Sequence, residues 1–508
     1  MLGLGSAVVS AADWPRFRGR DFQGTSSESF LTSWPPDGPS VRWTVPGPEI
    51  GSGGYGSLVV AQGRVFTLLN DLDGERWQEY CLALDEATGR RLWATLVDDA
   101  EGANSTTTVV DGRVYVYSGR CKLHCLDAAN GKVLWKRDLV REFRAGEVDW
   151  GNSQSPWVGD GRVFASIIAP TNCLMAFDAS DGALLWQGHT NALTYASPVG
   201  GSIQGVRQII FPDRYGLVAV TPDSGRLLWR HRQGHASQQG PSPVVHGNVI
   251  LSVKSNDGTG TQAVRIDSSN GVFSAHGLWT MRQLGDLYTT MVVHGDHVYA
   301  TSMMGGGRLR CLELAAGKVR WESSAARFSS AILVGQHLVA LADNGCLLLI
   351  EASPIGYREV ARSPARPKGD RAMYLNSPAF ANGRLYLRDS YEVVCLGAAP
   401  PPLRMDVSLP AGTDRAQFTV SCCDGSALAA NRAAQIGLRW SSDLRQPPAQ
   451  WTRMTLPLAA PPVCSRWRCR LCRKGHPAST GRWSKQPAVE FAPGHRWQTV
   501  QGLLGSVR

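Results

Sequence analysis

Aromatic and amide side chains recur at one position of the sequence, directly before segments in which apolar and small residues alternate. They are Tyr55, Trp150, Asn152, Tyr195, Gln239, Tyr288, Tyr374 and Asn376. Flat rings beside amides suit a sugar, a peptide or another planar ligand when they converge on a concave surface. Alternatively, the tyrosines plug the top of a central channel and bond neighbouring loops. The sequence leaves both interpretations open.

Three carboxylates, Glu101, Asp149 and Asp286, lie in the same set of loops. A calcium ion needs several convergent oxygen ligands, usually with more than one carboxylate. The spacing of the three residues allows them to converge but does not require it. They are candidate metal ligands or bases only if the fold brings them together.

A third candidate site lies near the C-terminus, in CSRWRCRLCRKGH (464–476). Its four soft ligands, Cys464, Cys469, Cys472 and His476, could form a tetrahedral zinc site, and its basic residues could meet phosphates. The spacing matches no known zinc module. A basic strand pair with disulfides, or a frameshift in the sequence, is the alternative.

The segments that would position the loop residues repeat along the chain. Seven tryptophans are separated by 50, 42, 51, 43, 50 and 42 residues, a repeat of about four strands. They are Trp43, Trp93, Trp135, Trp186, Trp229, Trp279 and Trp321. Eight hairpins of period two, which indicates strands, accompany them at residues 57–68, 106–117, 155–166, 197–211, 242–253, 289–301, 330–341 and 377–388. The pattern predicts an all-β propeller.

The ends of this repeat predict how the ring closes. The eighth unit, residues 377–397, lacks a last strand, whereas VRWTV (41–45) precedes the first hairpin. If these two parts pair, the ring has no open edge. We therefore predict eight blades closed by an N-terminal strand. Seven blades, with the degenerate residues 330–350 inserted elsewhere, is the alternative.

The repeated turn has a structural explanation. In LDAANGKVLW (126–135), Asp127 is expected to accept hydrogen bonds from turn N–H groups, and Gly131 to adopt positive φ. The ring of Trp135 is expected to be buried between blades, with its indole N–H bonded to neighbouring backbone. The seven tryptophans are thus predicted to be structural, and Cys125, Cys311 and Cys395 are predicted to be buried strand residues.

The pattern Leu-Asp-x-x-x-Gly-x-x-Leu-Trp resembles the tryptophan-docking repeat of the pyrroloquinoline quinone (PQQ) enzyme-like, or quinoprotein alcohol dehydrogenase-like, β-propeller superfamily. The resemblance covers residues 41–397, and ADWPRFRGRDFQGTS (12–26) is similar to the start of secreted bacterial members. Members include quinone-dependent alcohol dehydrogenases and a scaffold lipoprotein of outer-membrane assembly. The fold does not choose among these functions.

For the dehydrogenase branch, the resemblance implies PQQ, calcium, an aspartate base and a vicinal disulfide stacked on the cofactor. The vicinal pair of this chain, Cys422-Cys423, lies beyond the propeller and does not correspond to that disulfide. Glu101, Asp149 and Asp286 would have to supply the calcium ligands and the base.

The N-terminus and the charge distribution bear on location and partners. MLGLGSAVVSAA (1–12) is typical of the apolar part and cleavage site of a signal peptide, although a positively charged start is missing. No run of about 18 apolar residues occurs, so no membrane span is expected. Residues 398–508 hold fifteen basic and five acidic residues, which accounts for the whole net charge of +10. A nucleic-acid partner is therefore not expected for the neutral body.

The predicted organisation comprises a truncated signal peptide (1–12), an N-terminal strap (13–40), the propeller (41–397), a small β-sandwich-like module (398–493) and a flexible basic tail (494–508). Strands of the module are expected in RMDVSLPAG, AQFTVSCC, QIGLRWSSDL and QWTRMTLPL. The proline-rich APPPLR (399–404) marks its start.

These features predict a monomeric, periplasmic or extracellular propeller without catalytic activity or cofactor. It would bind a small molecule, a glycan or a protein partner at its loops. A PQQ-dependent alcohol or polymer dehydrogenase is the alternative. Nucleic-acid or zinc binding by the basic, cysteine-rich tail is a third possibility.

Overall fold

The computed structural model describes residues 13–28, 30, 34, 37–47, 54–74, 77–100, 102–146, 150–190, 194–233, 240–254, 260–284, 290–302, 306–366, 376–389 and 392–397, together with seven strands between residues 403 and 500. The chain divides into two compact units, Met1–Ala398 and Ala399–Arg508. No helix among the described residues is long and apolar enough to span a membrane.

The first unit contains eight antiparallel sheets of four strands, with one further strand added to the seventh. Two strands precede the first sheet: β1 (Thr25–Ser26) and β2 (Ser40–Pro46). Blade 1 comprises β3 (Val59–Ala61), β4 (Arg64–Asn70), β5 (Glu79–Asp85) and β6 (Arg91–Asp98). Blade 2 comprises β7 (Thr108–Val110), β8 (Arg113–Tyr117), β9 (Lys122–Asp127) and β10 (Val133–Asp138). Blade 3 comprises β11 (Trp157–Gly159), β12 (Arg162–Ser166), β13 (Leu174–Asp178) and β14 (Leu184–Gly188).

The next blades continue this order. Blade 4 comprises β15 (Val199–Ile203), β16 (Val206–Asp213), β17 (Gly216–Val220) and β18 (Leu227–Arg232). Blade 5 comprises β19 (Val244–His246), β20 (Val249–Lys254), β21 (Gly260–Ser269) and β22 (Val272–Met281). Blade 6 comprises β23 (Val292–His294), β24 (His297–Ser302), β25 (Arg308–Glu313) and β26 (Val319–Ser323).

The last two blades hold the added strand and the closing strand. Blade 7 comprises β27 (Phe328–Val334), β28 (His337–Ala342), β29 (Leu347–Glu351) and β30 (Glu359–Arg362), with β1 paired parallel to β27. Blade 8 comprises β31 (Ala379–Ala381), β32 (Arg384–Arg388), β33 (Glu392–Gly397) and β2. The helices of the described residues are short: α1 (Leu139–Phe143) and the 3-10 turns Leu72–Gly74 and Arg282–Leu284.

Ring closure follows the prediction. Strand β2 pairs antiparallel with β33, and Trp43 lies opposite Cys395. The inner strands of the blades contact one another, and the inner strands of blades 8 and 1 are among these contacts. The eight-bladed prediction is confirmed, and the seven-bladed alternative is wrong because residues 328–362 form a complete blade.

Tryptophan docking holds neighbouring blades together. The indole N–H of Trp135 donates to the carbonyl of Ala179, in the turn of the next blade, at 3.1 Å. The same bond links Trp43 to Glu86, Trp93 to Ala128, Trp186 to Pro222, Trp279 to Leu314 and Trp321 to Ser353. Asp127 accepts from the turn amides of Ala129 and Asn130, as predicted.

The glycine of each repeated turn has a second reason beyond its positive φ. A Cβ placed on Gly182 would lie 2.7 Å from Cε3 of the Trp135 ring, because the glycine Cα rests on the indole. Gly89, Gly131, Gly225 and Gly317 meet the tryptophan of the preceding blade in the same way. The glycine therefore provides both the turn and the surface on which the ring packs.

The two departures from this pattern occur where the next blade lacks the turn. Trp229 of blade 4 faces blade 5, whose long strands β21 and β22 join directly through Asn270 and Gly271. Its N–H donates instead to Oε1 of Gln208 in its own blade, at 2.7 Å. In blade 7, Ala361 occupies the position of the tryptophan, opposite Leu349. This blade faces blade 8, whose third and fourth strands, β33 and β2, come from distant parts of the chain and are not joined by a turn.

The N-terminal strap lies against the inner strands rather than outside the ring. Its bonds join Trp14 to Val60, Pro15 to Val109, Arg16 to Val158, Arg18 to Thr290 and Met291, β1 to β27, and Glu28 to Asn382 and Gly383. Residues 13–28 thus contact the inner hairpins of blades 1, 2, 3, 6, 7 and 8. The buried guanidinium of Arg18 donates to three backbone carbonyls, and burial lowers its pKa to about 9.

The second unit contains two antiparallel sheets. One sheet comprises β34 (Leu403–Ser408), β35 (Arg415–Cys422) and β38 (Ser465–Arg470). The other comprises β36 (Gly437–Ser441), β37 (Thr452–Met454), β39 (Ala488–Ala492) and β40 (Gln498–Val500). The four predicted strand segments overlap β34, β35, β36 and β37 in turn.

Candidate functional site: the loop face

The two ends of the propeller differ in what connects the strands. Turns between the first and second strands, and between the third and fourth, lie at one end, here called the turn face. Loops between the second and third strands, and the connections to the next blade, lie at the other end, here called the loop face. The predicted ligand residues belong to the loop face.

A belt of hydroxyl groups joins the blades just below the loop face. The backbone N–H at the start of one inner strand donates to a serine or threonine hydroxyl at the same position of the next blade. The links run from Ser377 to Ser57, Ser57 to Thr106, Thr106 to Ser155, Ser155 to Ser197, Ser197 to Ser242 and Ser242 to Thr290, at 2.9–3.2 Å. Because the inner strands are short, these side chains replace interstrand backbone bonds where neighbouring blades meet.

Asn152 and Asn376, two of the predicted ligand residues, are buried and bond neighbouring loops. The amide of Asn152 donates to the carbonyls of Tyr117 and Ser118 at 3.4 and 3.3 Å, and its oxygen accepts from the amide of Gln154. The amide of Asn376 donates to the carbonyl of Gly56 at 3.1 Å. Both side chains therefore tie one blade to the next.

Three loops pack backbone on backbone through glycine. A Cβ on Gly102 would meet the Cα of Gly119 at 2.8 Å, and a Cβ on Gly151 would lie 3.5 Å from both of these Cα atoms. The backbone N–H of Asn152 donates to the carbonyl of Gly119 at 2.7 Å. Since no side chain separates these backbones, the loops of blades 1, 2 and 3 form one tight surface.

Buried carboxylates hold the Gly119 loop from below. Glu79 of blade 1 is fully buried, and its Oε2 accepts the N–H of Gly119 at 2.8 Å. Burial raises the pKa of Glu79 to about 8, with a smaller contribution from nearby Asp98. Asp98 accepts the hydroxyl of Ser118 at 2.5 Å and pairs with Lys122 at 2.7 Å. Burial also raises the pKa of Asp98, although the bonds from Lys122 and Ser118 oppose that effect.

A groove of about 630 Å³ opens beside these carboxylates, between blades 1 and 2. Residues of both charge signs line it, and they pair within the groove: Lys122 with Asp98 and Asp99, and Arg137 with Glu142. The buried ring of His124 also lines it, and burial lowers its pKa to about 4. These ion pairs therefore offset part of the charge inside the groove itself.

Exposed aromatic side chains distinguish the loop face from the turn face. Tyr55 is 46% exposed, Trp77 62%, Trp150 74% and Tyr215 46%, and no other aromatic residue reaches this exposure among those whose side chains the structure describes. All four lie on the loop face. Tyr55 and Trp150 were predicted from the sequence, whereas Trp77 was missed because it lies in the loop between β4 and β5, outside the recurring position.

The remaining predicted residues have different positions. Tyr195 is half-buried in the connection to blade 4, where its carbonyl accepts the hydroxyl of Ser153. Outside the described residues lie Gln239, Tyr288, Tyr374, Glu101, Asp149, Asp286, Cys464, Cys472 and His476. Cys469 lies in β38. The ligand and zinc assignments of these residues remain predictions, whereas Cys125, Cys311 and Cys395 are buried strand residues, as predicted, and carry free thiols.

The described residues of the loop face do not fit a PQQ–calcium site. Their oxygens come mainly from serine, threonine and amide side chains that already bond adjacent blades. Within the described part of the chain, no three His, Cys, Asp or Glu side chains are grouped so that they could hold a metal ion. Calcium would require carboxylate oxygens from Glu101, Asp149 or Asp286.

Comparison with known proteins gives outer membrane assembly factors and a dehydrogenase as relatives. Outer membrane protein assembly factor BamB of Shewanella oneidensis is 21% identical over 275 residues, 51% of this chain and 67% of the relative. Polyvinylalcohol dehydrogenase of Sphingopyxis sp. is 32% identical over 146 residues, 21% of this chain and 22% of the relative. BamB from Moraxella catarrhalis, a crystal structure, shares the fold with a TM-score of 0.51 and 13% identity, over 71% of this chain and 98% of that chain.

The chain spans about two thirds or less of the length of the curated relatives that it matches. Its residues 78–351 match the family PQQ_2, described as outer membrane protein assembly factor BamB. This match covers more than half of the 508 residues and includes the tryptophan-docked blades. The chain therefore belongs to the PQQ_2 family of the quinoprotein alcohol dehydrogenase-like β-propeller superfamily.

Proposed function

We propose that the protein is an exported scaffold that binds a protein partner on its loop face and catalyses no reaction itself. The observation that carries the proposal is that the polar side chains of the loop face bond one blade to the next. The surface where they lie, at the end of the central channel, is called the mouth. The hydroxyl belt, Asn152 and Asn376 bond blade to blade, so the mouth is a rigid surface rather than a set of free reactive groups. A preformed surface loses little entropy on association, which favours binding.

The relatives support the same assignment. The matching family is described as an outer membrane protein assembly factor, and two similar proteins carry that name. We infer that the chain works in the bacterial envelope, in the periplasm or outside the cell. The signal-like residues 1–12 support export.

Site-specific photocrosslinking in the producing bacterium tests the proposal. One variant carries the crosslinker at Thr171, exposed in the loop between β12 and β13 on the loop face. The matched control carries it at Ala129, exposed in a turn on the turn face. The expected result is a discrete protein adduct from Thr171 alone. No adduct from Thr171, or the same adduct from both positions, would refute a partner on the loop face.

A PQQ-dependent alcohol or polymer dehydrogenase is the competing function, and the local identity to polyvinylalcohol dehydrogenase favours it. The assay adds PQQ and calcium to the purified protein and follows dye reduction with an alcohol panel that includes polyvinyl alcohol. Turnover above the protein without PQQ would overturn the scaffold proposal. Its loss in Asp149→Ala would assign that residue to the reaction.

A further inference from the structure

We propose that the loop face carries an oligosaccharide site, formed by Tyr55, Trp77 and Trp150 and taking hexopyranose units. These three residues are called the aromatic sector. The ligand class goes beyond the protein partner proposed above, and the sector occupies only blades 1 to 3 of the loop face. Its rings would stack on the C–H faces of sugar rings.

The exposure of the sector is the first support. Trp150 is 74% exposed, Trp77 62% and Tyr55 46%, although tryptophan is on average a highly buried residue. The seven repeated tryptophans of the same chain are buried or half-buried between blades. An exposed indole costs free energy in water, and clusters of exposed apolar side chains mark binding sites.

Hydrogen bonds fix two of the three residues, Tyr55 and Trp150, to one loop, residues 102–104. The N–H of Tyr55 donates to the carbonyl of Ala103 at 3.0 Å. The amide of Asn104 donates to the carbonyl of Trp150 at 2.7 Å. The sector is therefore anchored at two points on adjacent residues.

The backbone of the third residue, Trp77, is held in blade 1 beside the residue that bonds this loop. The side-chain oxygen of Asn70 accepts the N–H groups of Gly102 and Ala103 at 3.1 and 3.2 Å. Its neighbour Asp71 accepts the N–H of Trp77 at 2.7 Å. All three aromatic residues thus have backbones held in place before any ligand arrives, which reduces the entropy lost on binding.

The area and polarity of the sector favour a glycan over a protein. An aromatic side chain offers about 150–250 Å², so the exposed fractions amount to about 350 Å² of ring surface. A stable protein interface takes about 800 Å² from each partner and has a continuous apolar core. The sector instead has separate rings on separate loops, with the polar groups of Asn104 and Asp71 near their anchors. A sugar chain matches it, because each pyranose has a flat apolar face and a rim of hydroxyls.

Affinity gel electrophoresis and isothermal titration with cellohexaose, chitohexaose and fragments of digested peptidoglycan test the proposal. The wild-type protein is compared with Trp77→Ala, Trp150→Ala and the triple alanine variant of the sector. Tyr215→Ala is the matched control, because Tyr215 is 46% exposed on the loop face of blade 4, outside the sector. Circular dichroism and thermal unfolding verify that each variant is folded.

The expected result is binding of at least one of these glycans, about tenfold weaker in each tryptophan variant, which corresponds to ~1.4 kcal/mol. The triple variant should lose binding, and Tyr215→Ala should retain it. Absence of glycan binding by the wild-type protein, or binding that the triple variant retains, would overturn the proposal. If the triple variant loses only the crosslinked protein partner, the sector belongs to the protein interface and the glycan assignment is wrong.

Discussion

On the turn face, a tryptophan ring from one blade rests on the glycine of the next turn and donates its N–H to a turn carbonyl. On the loop face, hydroxyls and amides bond backbone across the same seam, and carboxylates are buried beneath the loops. The turn face repeats one apolar contact from blade to blade. The loop face repeats a hydroxyl link at six seams and adds amide and carboxylate contacts that differ from seam to seam.

This difference separates stability from recognition. A large ring buried or half-buried at seven of the eight seams contributes several kcal/mol at each without involving the loops. The loops can then differ in length and sequence while the ring stays closed, and binding residues are commonly found in such loops on rigid scaffolds. The exposed aromatic side chains belong to the loop face and the repeated tryptophans to the seams, which is the arrangement expected if the two roles are divided.

Truncation of one tryptophan on each face gives the largest expected contrast. Trp135→Ala removes a buried ring and its hydrogen bond to Ala179, and should lower the free energy of unfolding by about 3–5 kcal/mol. Trp150→Ala removes an exposed ring and should change it by less than about 0.5 kcal/mol. Urea unfolding followed by circular dichroism measures both. Equal losses would show that the faces do not divide the roles as described.

The buried carboxylate of the loop face should make stability depend on pH. Burial raises the pKa of Glu79 to about 8, above the ordinary glutamate value of about 4.5, so the folded protein holds a proton that the unfolded chain releases. The stabilising effect of this proton is complete below about pH 4.5 and is lost as the pH rises through 8. His124, with its pKa lowered to about 4, acts in the opposite direction only below about pH 6.5.

The useful window is therefore pH 6.5 to 8, in which the wild-type protein should lose about 2 kcal/mol of unfolding free energy through Glu79. Glu79→Gln keeps an acceptor for the N–H of Gly119 and removes the titration, so its curve should be flatter by that amount. Urea titrations of both proteins at four pH values in the window measure the slopes. Parallel slopes would mean that Glu79 is ionised in the folded protein.

Two glycines of the turn face separate backbone strain from ring contact. Gly182 has φ +76° and a Cβ there would lie 2.7 Å from the Trp135 ring, whereas Gly161 has φ +70° and nothing within 4 Å. Alanine at either position must adopt positive φ, which lowers the free energy of unfolding by about 1 kcal/mol. Gly182→Ala should cost about 1–3 kcal/mol more, because the ring must shift. Equal midpoints in thermal or urea unfolding would show that turn geometry alone selects this glycine.

The turn face was predictable from the sequence because its contact is local and repeated. The Asp, Gly and Trp of LDAANGKVLW recur at fixed spacing, so the docking of Trp135 and the closing role of residues 41–45 follow from the repeat alone. The alternative acceptor of Trp229 does not, because Gln208 lies 21 residues earlier and outside the motif. Its cause, the missing turn of blade 5, is visible only once the strands β21 and β22 are paired.

The loop face was predictable in part. The recurring position identified Tyr55, Trp150, Asn152 and Asn376, but it could not tell an exposed ring from a buried amide that bonds the next blade. Trp77 was missed because it lies outside the recurring position, and Glu79 because its bond to Gly119 joins residues far apart in the sequence. Burial of a single carboxylate under a neighbouring loop leaves no periodic signal in the sequence.

The blade 4 seam offers the smallest and most specific effect. At the other tryptophans the acceptor is a backbone carbonyl that no side-chain substitution can remove, whereas Trp229 donates to the side chain of Gln208. Gln208→Leu should therefore cost about 1 kcal/mol by leaving the indole N–H without its acceptor. In a Trp229→Phe background the same substitution should cost less. The difference between the two costs is the coupling energy of the two side chains. Urea unfolding of the four proteins measures the coupling; a value near zero would mean that Gln208 acts by filling space, and that the seam is held by ring packing alone.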